Sequence, residues 1–289
     1  MSDPSLRLML REATGILASA GVPSPEHDAR ELAAHALGIR PADLVTRDTC
    51  TPAEADAFDA LVGRRAARVP LQHLTGESHF RRLTLAVGPG VFIPRPETEV
   101  VVEAALVEVR RLVAGGHRQP VVVDLCTGSG AMAASVALEA PEARVHAVEL
   151  APDAFAWAER NLAASDVDLR LGDAASAFPE LDGQVDVVVT NPPYIPADGL
   201  IRDPEVLEHD PPLALWGGGP DGLDVPRSVI ARARSLLRPG GLLVIEHADV
   251  QGGAMVDLLA AAGWVEVADH RDLAGRDRYA TARPGRMTA

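Results

Sequence analysis

A doubly wound α/β sheet preceded by a small helical bundle is the architecture this sequence predicts, and three observations carry the prediction. From residue 121 to residue 246, short apolar runs alternate with helix-like stretches, as strands and helices do in a βαβ chain. The early runs, such as Val121-Val122-Val123, are apolar without interruption, which suits parallel strands covered on both faces. Before residue 78 the apolar residues recur at three- and four-residue spacing instead, as on amphipathic helices.

Helical spacing runs from Leu6 to about Gly38 and is broken by Pro23-Ser24-Pro25. There Ser24 is placed to cap a helix whose first residue is Pro25. Asp28, Arg30 and Glu31 mark its expected solvated side; Ala29, Leu32, Ala33 and Ala36 mark the buried one. Thr51-Pro52-Ala53-Glu54 opens another helix, through Phe58 and Leu61 to about residue 68. Residues 1–78 thus form the helical domain and 79–96 a linker. In the linker, residues 80–87 and 90–93 read as strands around Gly88-Pro89-Gly90, a hairpin-like connector. A helix over 97–113 ends at Gly115-Gly116. Strands follow at 121–125, 144–149, 168–171, 186–190 and 242–246, with helices at 131–139, 152–163 and 226–237 between them. Segments 264–268 and 278–282 complete the sheet of a domain covering 97–289.

Composition bounds the function. The 289 residues carry a formal charge of −14, and every basic residue besides His is Arg. Such an acidic balance argues against stable nucleic-acid binding, where phosphate contacts dominate affinity. Two Cys, at 50 and 126, make neither a disulfide framework nor a zinc spacing, and the nine His are scattered, so no metal is expected. Met1-Ser2-Asp3-Pro4 lacks a signal-peptide core, and no apolar run has membrane-spanning length. A soluble, cytoplasmic chain without a membrane partner is expected, acting as a monomer.

Asp124-Leu125-Cys126-Thr127-Gly128-Ser129-Gly130 closes the first strand of the alternating region and opens a helix, where open α/β sheets bind ligands. Gly128 and Gly130 allow a tight turn and a close backbone approach. Glu149, at the end of the second strand, is placed to accept both hydroxyls of a ribose. Gly172-Asp173-Ala174 ends the third strand, where an adenine ring lies in such folds. Gly128-Ser129-Gly130-Ala131-Met132-Ala133 also fits the Gly-x-Gly-x-x-Ala dinucleotide fingerprint, so an NAD-linked oxidoreductase stays open. Asp124 favours S-adenosylmethionine, because a carboxylate suits an ammonium and a sulfonium better than a pyrophosphate. Cys126 reads as a small, partly buried residue rather than a reactive thiol.

Asn191-Pro192-Pro193-Tyr194 ends the fourth strand. The Asn191 carboxamide oxygen and the Pro192 carbonyl can both accept from one NH2 group. The two prolines stiffen the turn, and Tyr194 can lie flat on the group being held.

With these segments the chain resembles the protein-(glutamine-N5) methyltransferases of peptide chain release factors, the HemK/PrmC family. The matching stretches include Pro70-Leu71-Gln72-His73-Leu74-Thr75-Gly76, Phe92-Ile93-Pro94-Arg95-Pro96-Glu97-Thr98-Glu99, the loop 124–130 and Asn191-Pro192-Pro193-Tyr194. Asp221-Gly222-Leu223-Asp224 and the stretch 272–278 follow. The resemblance implies a Rossmann-like S-adenosylmethionine-dependent methyltransferase domain. Its seven-stranded, mostly parallel sheet has an antiparallel last strand, and a helical substrate-recognition domain and hairpin linker precede it. It implies cofactor contacts from 126–130, Glu149, Ala174 and Asn191, and substrate contacts from Asn191, Pro192, Pro193 and Tyr194. The sequence departs from the family at Cys126, usually Gly, and at Ala174, often a large residue beside the adenine.

The expected reaction transfers a methyl group to the amide nitrogen of the glutamine in the Gly-Gly-Gln motif of release factors. An amide nitrogen is a poor nucleophile, so positioning and charge complementarity are the enzyme's task, and no residue reads as a general base. Methylation of a ribosomal-protein glutamine or of adenine N6 also presents a planar NH2; the acidic balance disfavours the nucleic-acid version. Arg95 and Glu97 either close over the cofactor or steady the linker, and residues 205–210 read either as a substrate contact or as a solvated acidic loop. His247 reads as a packing residue.

Overall fold

Local signals account for the first helices of the computed structural model, which describes residues 3–285. Met1 and Ser2, the start of the N-terminus considered above, lie outside the described residues. The helices are α1 (Leu6–Ser19), α2 (Pro25–Leu37), α3 (Pro52–Ala66) and α4 (Leu71–Thr75), with a 3-10 turn at Pro41–Thr46. Thr51 and Glu54 form a reciprocal capping box at the start of α3, a device contributing about 1 kcal/mol. Ser24 precedes α2 as expected, with Pro25 in its first turn, but its side chain makes no capping bond. Leu6, Leu17, Leu32 and Phe58 are enclosed at the centre of these helices. Asp28, expected on the solvated side, is buried: its carboxylate accepts from Arg65 Nε at 2.7 Å, and Arg65 is buried too. The apolar spacing places Asp28 at the edge of the stripe, and a partner 37 residues away in α3 draws it in.

Two compact units divide the chain. The smaller holds the residues through 77, with 87–89 and 201–209; the larger holds 78–86, 90–200 and 210 onward. β1 (Glu77–Phe80), which lies in the larger unit from Ser78 onward, pairs with β2 (Leu83–Ala86). The reversal therefore occurs at Arg81-Arg82, not at Gly88-Pro89-Gly90, and residues 90–93 are not a strand. Arg81 takes a left-handed φ of 52°, which the sequence does not advertise in a non-glycine residue. Its guanidinium bonds Glu139 at 2.6 Å and Glu103 at 2.7 Å, and its N–H bonds the Glu99 carboxylate at 2.9 Å, holding the turn.

A 3-10 turn at Pro96–Thr98 leads into α5 (Glu99–Ala114). The alternating region then runs β3 (Val121–Leu125), α6 (Ala131–Glu139), β4 (Arg144–Glu149), α7 (Pro152–Leu162), β5 (Asp168–Leu171) and β6 (Val185–Thr190). After it, α8 (Pro204–His209) belongs to the smaller unit, where Glu205 lies 2.8 Å from both Arg65 and Arg68. That carboxylate is thereby committed to an ion-pair cluster rather than left in a solvated loop. The larger unit resumes with α9 (Pro212–Leu215), α10 (Asp224–Leu236), β7 (Leu237–Glu246), α11 (Gly252–Ala261), β8 (Trp264–Arg271) and β9 (Asp277–Pro284).

Its sheet has the order β5-β4-β3-β6-β7-β9-β8. The first five strands pair in parallel, and the last strand of the chain, β9, runs antiparallel to both neighbours. Val122, Val187, Val188 and Val244 are fully enclosed between helices on both faces, each stabilising the fold by about 1.5–3 kcal/mol. Strand order reverses between β3 and β6, and Leu125 stands level with Val148 on one side and Thr190 on the other. The carboxyl ends of β3, β4 and β6 thus finish together at the switch point, where α/β sheets hold ligands. Among the described residues no helix is long and apolar enough to cross a membrane.

Candidate active site

The loop after β3 turns because three of its residues, Cys126, Gly128 and Gly130, leave the right-handed region. Gly130 has φ 83°, and a Cβ there would press on Leu162 of α7 at 3.2 Å. Cys126 adopts φ 65°, a left-handed conformation that suits glycine better than a residue with a side chain. Burial and the charges of Glu149 and Asp124 push the thiol of the half-buried Cys126 upward, so it stays protonated.

Asp124 is enclosed beneath this loop. One carboxylate oxygen accepts from the Thr127 hydroxyl at 2.6 Å and from the Ala133 N–H at 3.1 Å, fastening the loop to the first turn of α6. Its other oxygen is buried without a partner. Burial raises the carboxyl to about 7. Direct contact with a ligand is closed to a fully covered group, so its charge reaches the loop's outer side through the loop backbone.

Glu149 ends β4 beside the same loop. Its Oε2 accepts from Gly128 N–H at 2.8 Å and its Oε1 from Ala151 N–H at 2.8 Å. Burial raises this carboxyl as well. Next along the sheet, Gly172 N–H bonds the Glu149 carbonyl at 2.8 Å, which brings Asp173 and Ala174 alongside. Asp173 is exposed and caps the following turn through the Ala175 N–H at 2.8 Å, while Ala174 is buried. The loop, Glu149 and the Asp173-Ala174 turn therefore form one continuous rim. Two enclosed carboxylates at the start of α6 suit a cationic nucleoside and oppose a pyrophosphate.

Asn191-Pro192-Pro193-Tyr194 follows β6 on the other side of β3. The Thr190 hydroxyl donates to the Leu125 carbonyl at 2.5 Å, tying the two strand ends together. The turn is gripped from behind. Ile195 bonds Leu215 and Gly217 through its backbone, each at 2.9 Å. Gln251 donates from one amide nitrogen to the Tyr194 carbonyl at 2.9 Å and to the Asp221 carbonyl at 2.8 Å. A Cβ on Gly222 would stand 2.2 Å from the Tyr194 carbonyl oxygen, so only Gly fits there. Gln251 escaped the sequence reading; nothing in its local pattern announces a partner 57 residues away.

On the forward side, Asn191 turns its Nδ2 toward Thr98 Oγ1 at 3.4 Å. Its Oδ1 and the Pro192 carbonyl carry no hydrogen bond among the described residues. Tyr194 directs its hydroxyl to Glu246 Oε1 at 3.4 Å, and burial pushes its phenol upward. Arg95 bonds Asp210 at 2.5 Å and lies over the Phe92 ring at 4.7 Å, which fits the steadying role considered above better than closure. His247 is enclosed, held by Asp269 and the Ala248 carbonyl, a packing arrangement.

Comparisons with known proteins agree with this geometry. Residues 9–76 match the PrmC N-terminal domain and residues 101–202 the methyltransferase small domain. The release factor glutamine methyltransferase of Streptomyces coelicolor is 53% identical over 284 residues, covering 96% of this chain and 99% of that protein. A 4-amino-L-phenylalanine/4-methylamino-L-phenylalanine methyltransferase of Streptomyces pristinaespiralis is 44% identical over 263 residues, covering 90% and 89%. The crystal structure of a methyltransferase from Pyrococcus furiosus matches with a TM-score of 0.50 at 19% identity, covering 79% of this chain and 98% of that one, and shows the fold alone. The sheet is that of a Rossmann-like S-adenosylmethionine-dependent methyltransferase, and the chain belongs to the release factor glutamine methyltransferase family.

Proposed function

We propose that this chain methylates the side-chain amide nitrogen of the glutamine in the Gly-Gly-Gln motif of peptide chain release factors. The observation that carries the reading is the pair of unengaged acceptors, Asn191 Oδ1 and the Pro192 carbonyl, side by side on a turn braced by Gln251 and Gly222. Two acceptors hold the two hydrogens of one planar NH2, which fixes the nitrogen's direction and enriches its electron density. Tyr194 packs against the amide plane and excludes water. S-adenosylmethionine, when bound, supplies a methyl group on a positively charged sulfur. Glu149 would hold its ribose, the turn at Asp173 and Ala174 its adenine, and residues 126–130 the remainder, with Asp124 adding negative charge from beneath.

The helical unit, residues 1–78 in the linear division, is assigned to recognition of the protein substrate, on its match to the PrmC N-terminal domain. We take the active form to be a cytoplasmic monomer without a stable nucleic-acid partner, in keeping with a charge of −14. A second reading, methylation of an aromatic amine on a free amino acid, is favoured by the relative from S. pristinaespiralis, since an arylamine also presents a planar NH2.

Purified release factors, wild type and with Gln→Ala in Gly-Gly-Gln, are incubated with methyl-labelled S-adenosylmethionine, and 4-amino-L-phenylalanine is offered in parallel. Label on the wild-type factor alone is the expected outcome. Label on both factors or on neither defeats the glutamine assignment, and label on the free amino acid alone selects the second reading.

A further inference from the structure

We propose that Asn161 is a positioning residue for the cofactor: it sets the Ser129–Gly130 peptide of the loop after β3 and couples that loop's occupancy to the hairpin strand β2. The proposal rests on the assignment of residues 126–130 to the cofactor made above. Asn161 lies in the last turn of α7, next to Leu162.

Gly130 is where α7 packs closely on the loop, since a Cβ there would press on Leu162 at 3.2 Å. That packing favours glycine, and Gly130 takes φ 83°. Glycine accepts either sign of φ, so the peptide plane before it turns over more easily than before a residue with a side chain. The Gly130 N–H holds that plane from within the loop, donating to the Thr127 carbonyl at 2.9 Å. Asn161 holds it from outside, donating from Nδ2 to the Ser129 carbonyl at 2.9 Å. Glu149 and Asp124 grip other groups: the Gly128 N–H, the Thr127 hydroxyl and the Ala133 N–H.

The rest of the Asn161 carboxamide is engaged with the hairpin. Its Oδ1 accepts the Ala86 N–H at 2.8 Å, and its Nδ2 donates to the Ala86 carbonyl at 3.0 Å, as a neighbouring strand would pair with β2. One oxygen and both Nδ2 hydrogens are thus in use. The arrangement also fixes the carboxamide's orientation, because an oxygen facing the Ala86 N–H leaves the nitrogen facing two carbonyls. At its turn the hairpin is held by Arg81, which bonds Glu139 of α6 and Glu103 of α5. Its fixing at Ala86 is shared with the cofactor loop. Shared bonds couple the groups at their two ends. A ligand that orders the loop holds Asn161 in place and protects the Ala86 amide, and an ordered β2 favours the ligand by the same factor.

Amide exchange and calorimetry test this. In the wild-type protein, saturating S-adenosylhomocysteine, which carries no transferable methyl group, should slow exchange of the Ala86 amide by about five- to tenfold, read by NMR. Asn161→Leu keeps the bulk and removes every polar side-chain atom. Its Kd for S-adenosylmethionine should rise about tenfold or more, while KM for the release factor at saturating cofactor moves less than about threefold. Its Ala86 amide should no longer respond to S-adenosylhomocysteine. A brace without a positioning role would change stability and leave both Kd and the response at Ala86 in place. An Ala86 amide in the wild-type protein that ignores the ligand overturns the proposal, whether or not the variant folds. A folded variant with wild-type Kd overturns it too. The Gly128 and Gly130 amide signals tell the two assignments apart. Their shift on adding ligand, without a change at Ala86, refutes the coupling and keeps the cofactor site. No shift at either glycine refutes the cofactor site, and the proposal with it.

Discussion

Glu149 Oε2 accepts the Gly128 backbone N–H at 2.8 Å, so the carboxylate ending β4 holds the turn that follows β3. Its other oxygen accepts Ala151 N–H, and both oxygens retain a second acceptor site for a ligand's hydroxyls. One residue thus shapes the loop and offers itself to the cofactor. Glu149→Gln keeps the size but turns an NH2 toward one of these two N–H groups. Cofactor Kd, measured by calorimetry, should rise about tenfold or more, while kcat at saturating cofactor changes less than about threefold. A drop confined to kcat would remove Glu149 from the cofactor site.

Asn191→Ala separates the two halves of the site. The variant loses one acceptor for the substrate NH2 while the loop at 126–130 and Glu149 stay in place. The rate of methyl transfer at saturation should fall about 100- to 1,000-fold, the effect of removing one oriented polar partner from a transition state. Cofactor Kd should stay within about threefold. Equal losses in rate and cofactor binding would contradict the role given to Asn191.

Much of this was legible beforehand because the relevant signals are local. The uninterrupted valine runs announced parallel strands, the glycines at 128 and 130 announced a tight turn, and Asn-Pro-Pro-Tyr announced a stiff loop with an aromatic behind it. Partnerships across long separations were not legible. Asp28 looked solvated until Arg65 was beside it, and Gln251 looked ordinary until it proved to hold the Tyr194 carbonyl. Glu246 closes β7 in an apolar run, and no pattern in the chain links it to Tyr194. The hairpin was misplaced for the opposite reason. Gly88-Pro89-Gly90 is a strong turn signal, yet the chain reverses at Arg81, whose three carboxylate partners come from α5 and α6.

Cys126 is a residue in a glycine's conformation. An L-residue at φ 65° costs about 1–2 kcal/mol, and glycine gives part of that back through its freer unfolded chain, about 0.5–1 kcal/mol. Cys126→Gly should therefore leave stability unchanged or raise it by up to about 1 kcal/mol in urea unfolding, with full activity. In the native wild-type protein, iodoacetamide at pH 8 should label Cys126 at least about tenfold more slowly than an exposed thiol, read by mass spectrometry. Rapid labelling, or loss of activity in the glycine variant, would restore a chemical role to the sulfur.

The buried carboxylates make the fold sensitive to pH in the direction opposite to acid denaturation. Asp124 moves from its ordinary 3.8 to about 7, chiefly through burial, with the neighbouring Glu149 adding to the rise. Between those values the folded chain keeps a proton that the unfolded chain has released. Unfolding then releases protons, and stability falls as pH rises through this window. The contribution is fully present below 3.8 and lost as pH passes about 7. Asp124→Asn cannot titrate, and its amide oxygen can still take the bonds from Thr127 and Ala133. The stability difference between variant and wild type should therefore shift in the variant's favour by about 2–4 kcal/mol between pH 4 and pH 8, measured by urea unfolding across the series. Parallel stability curves for the two proteins would mean that Asp124 is ionised in the fold throughout, and the negative charge assigned to the floor of the cofactor loop would then be permanent rather than titrating.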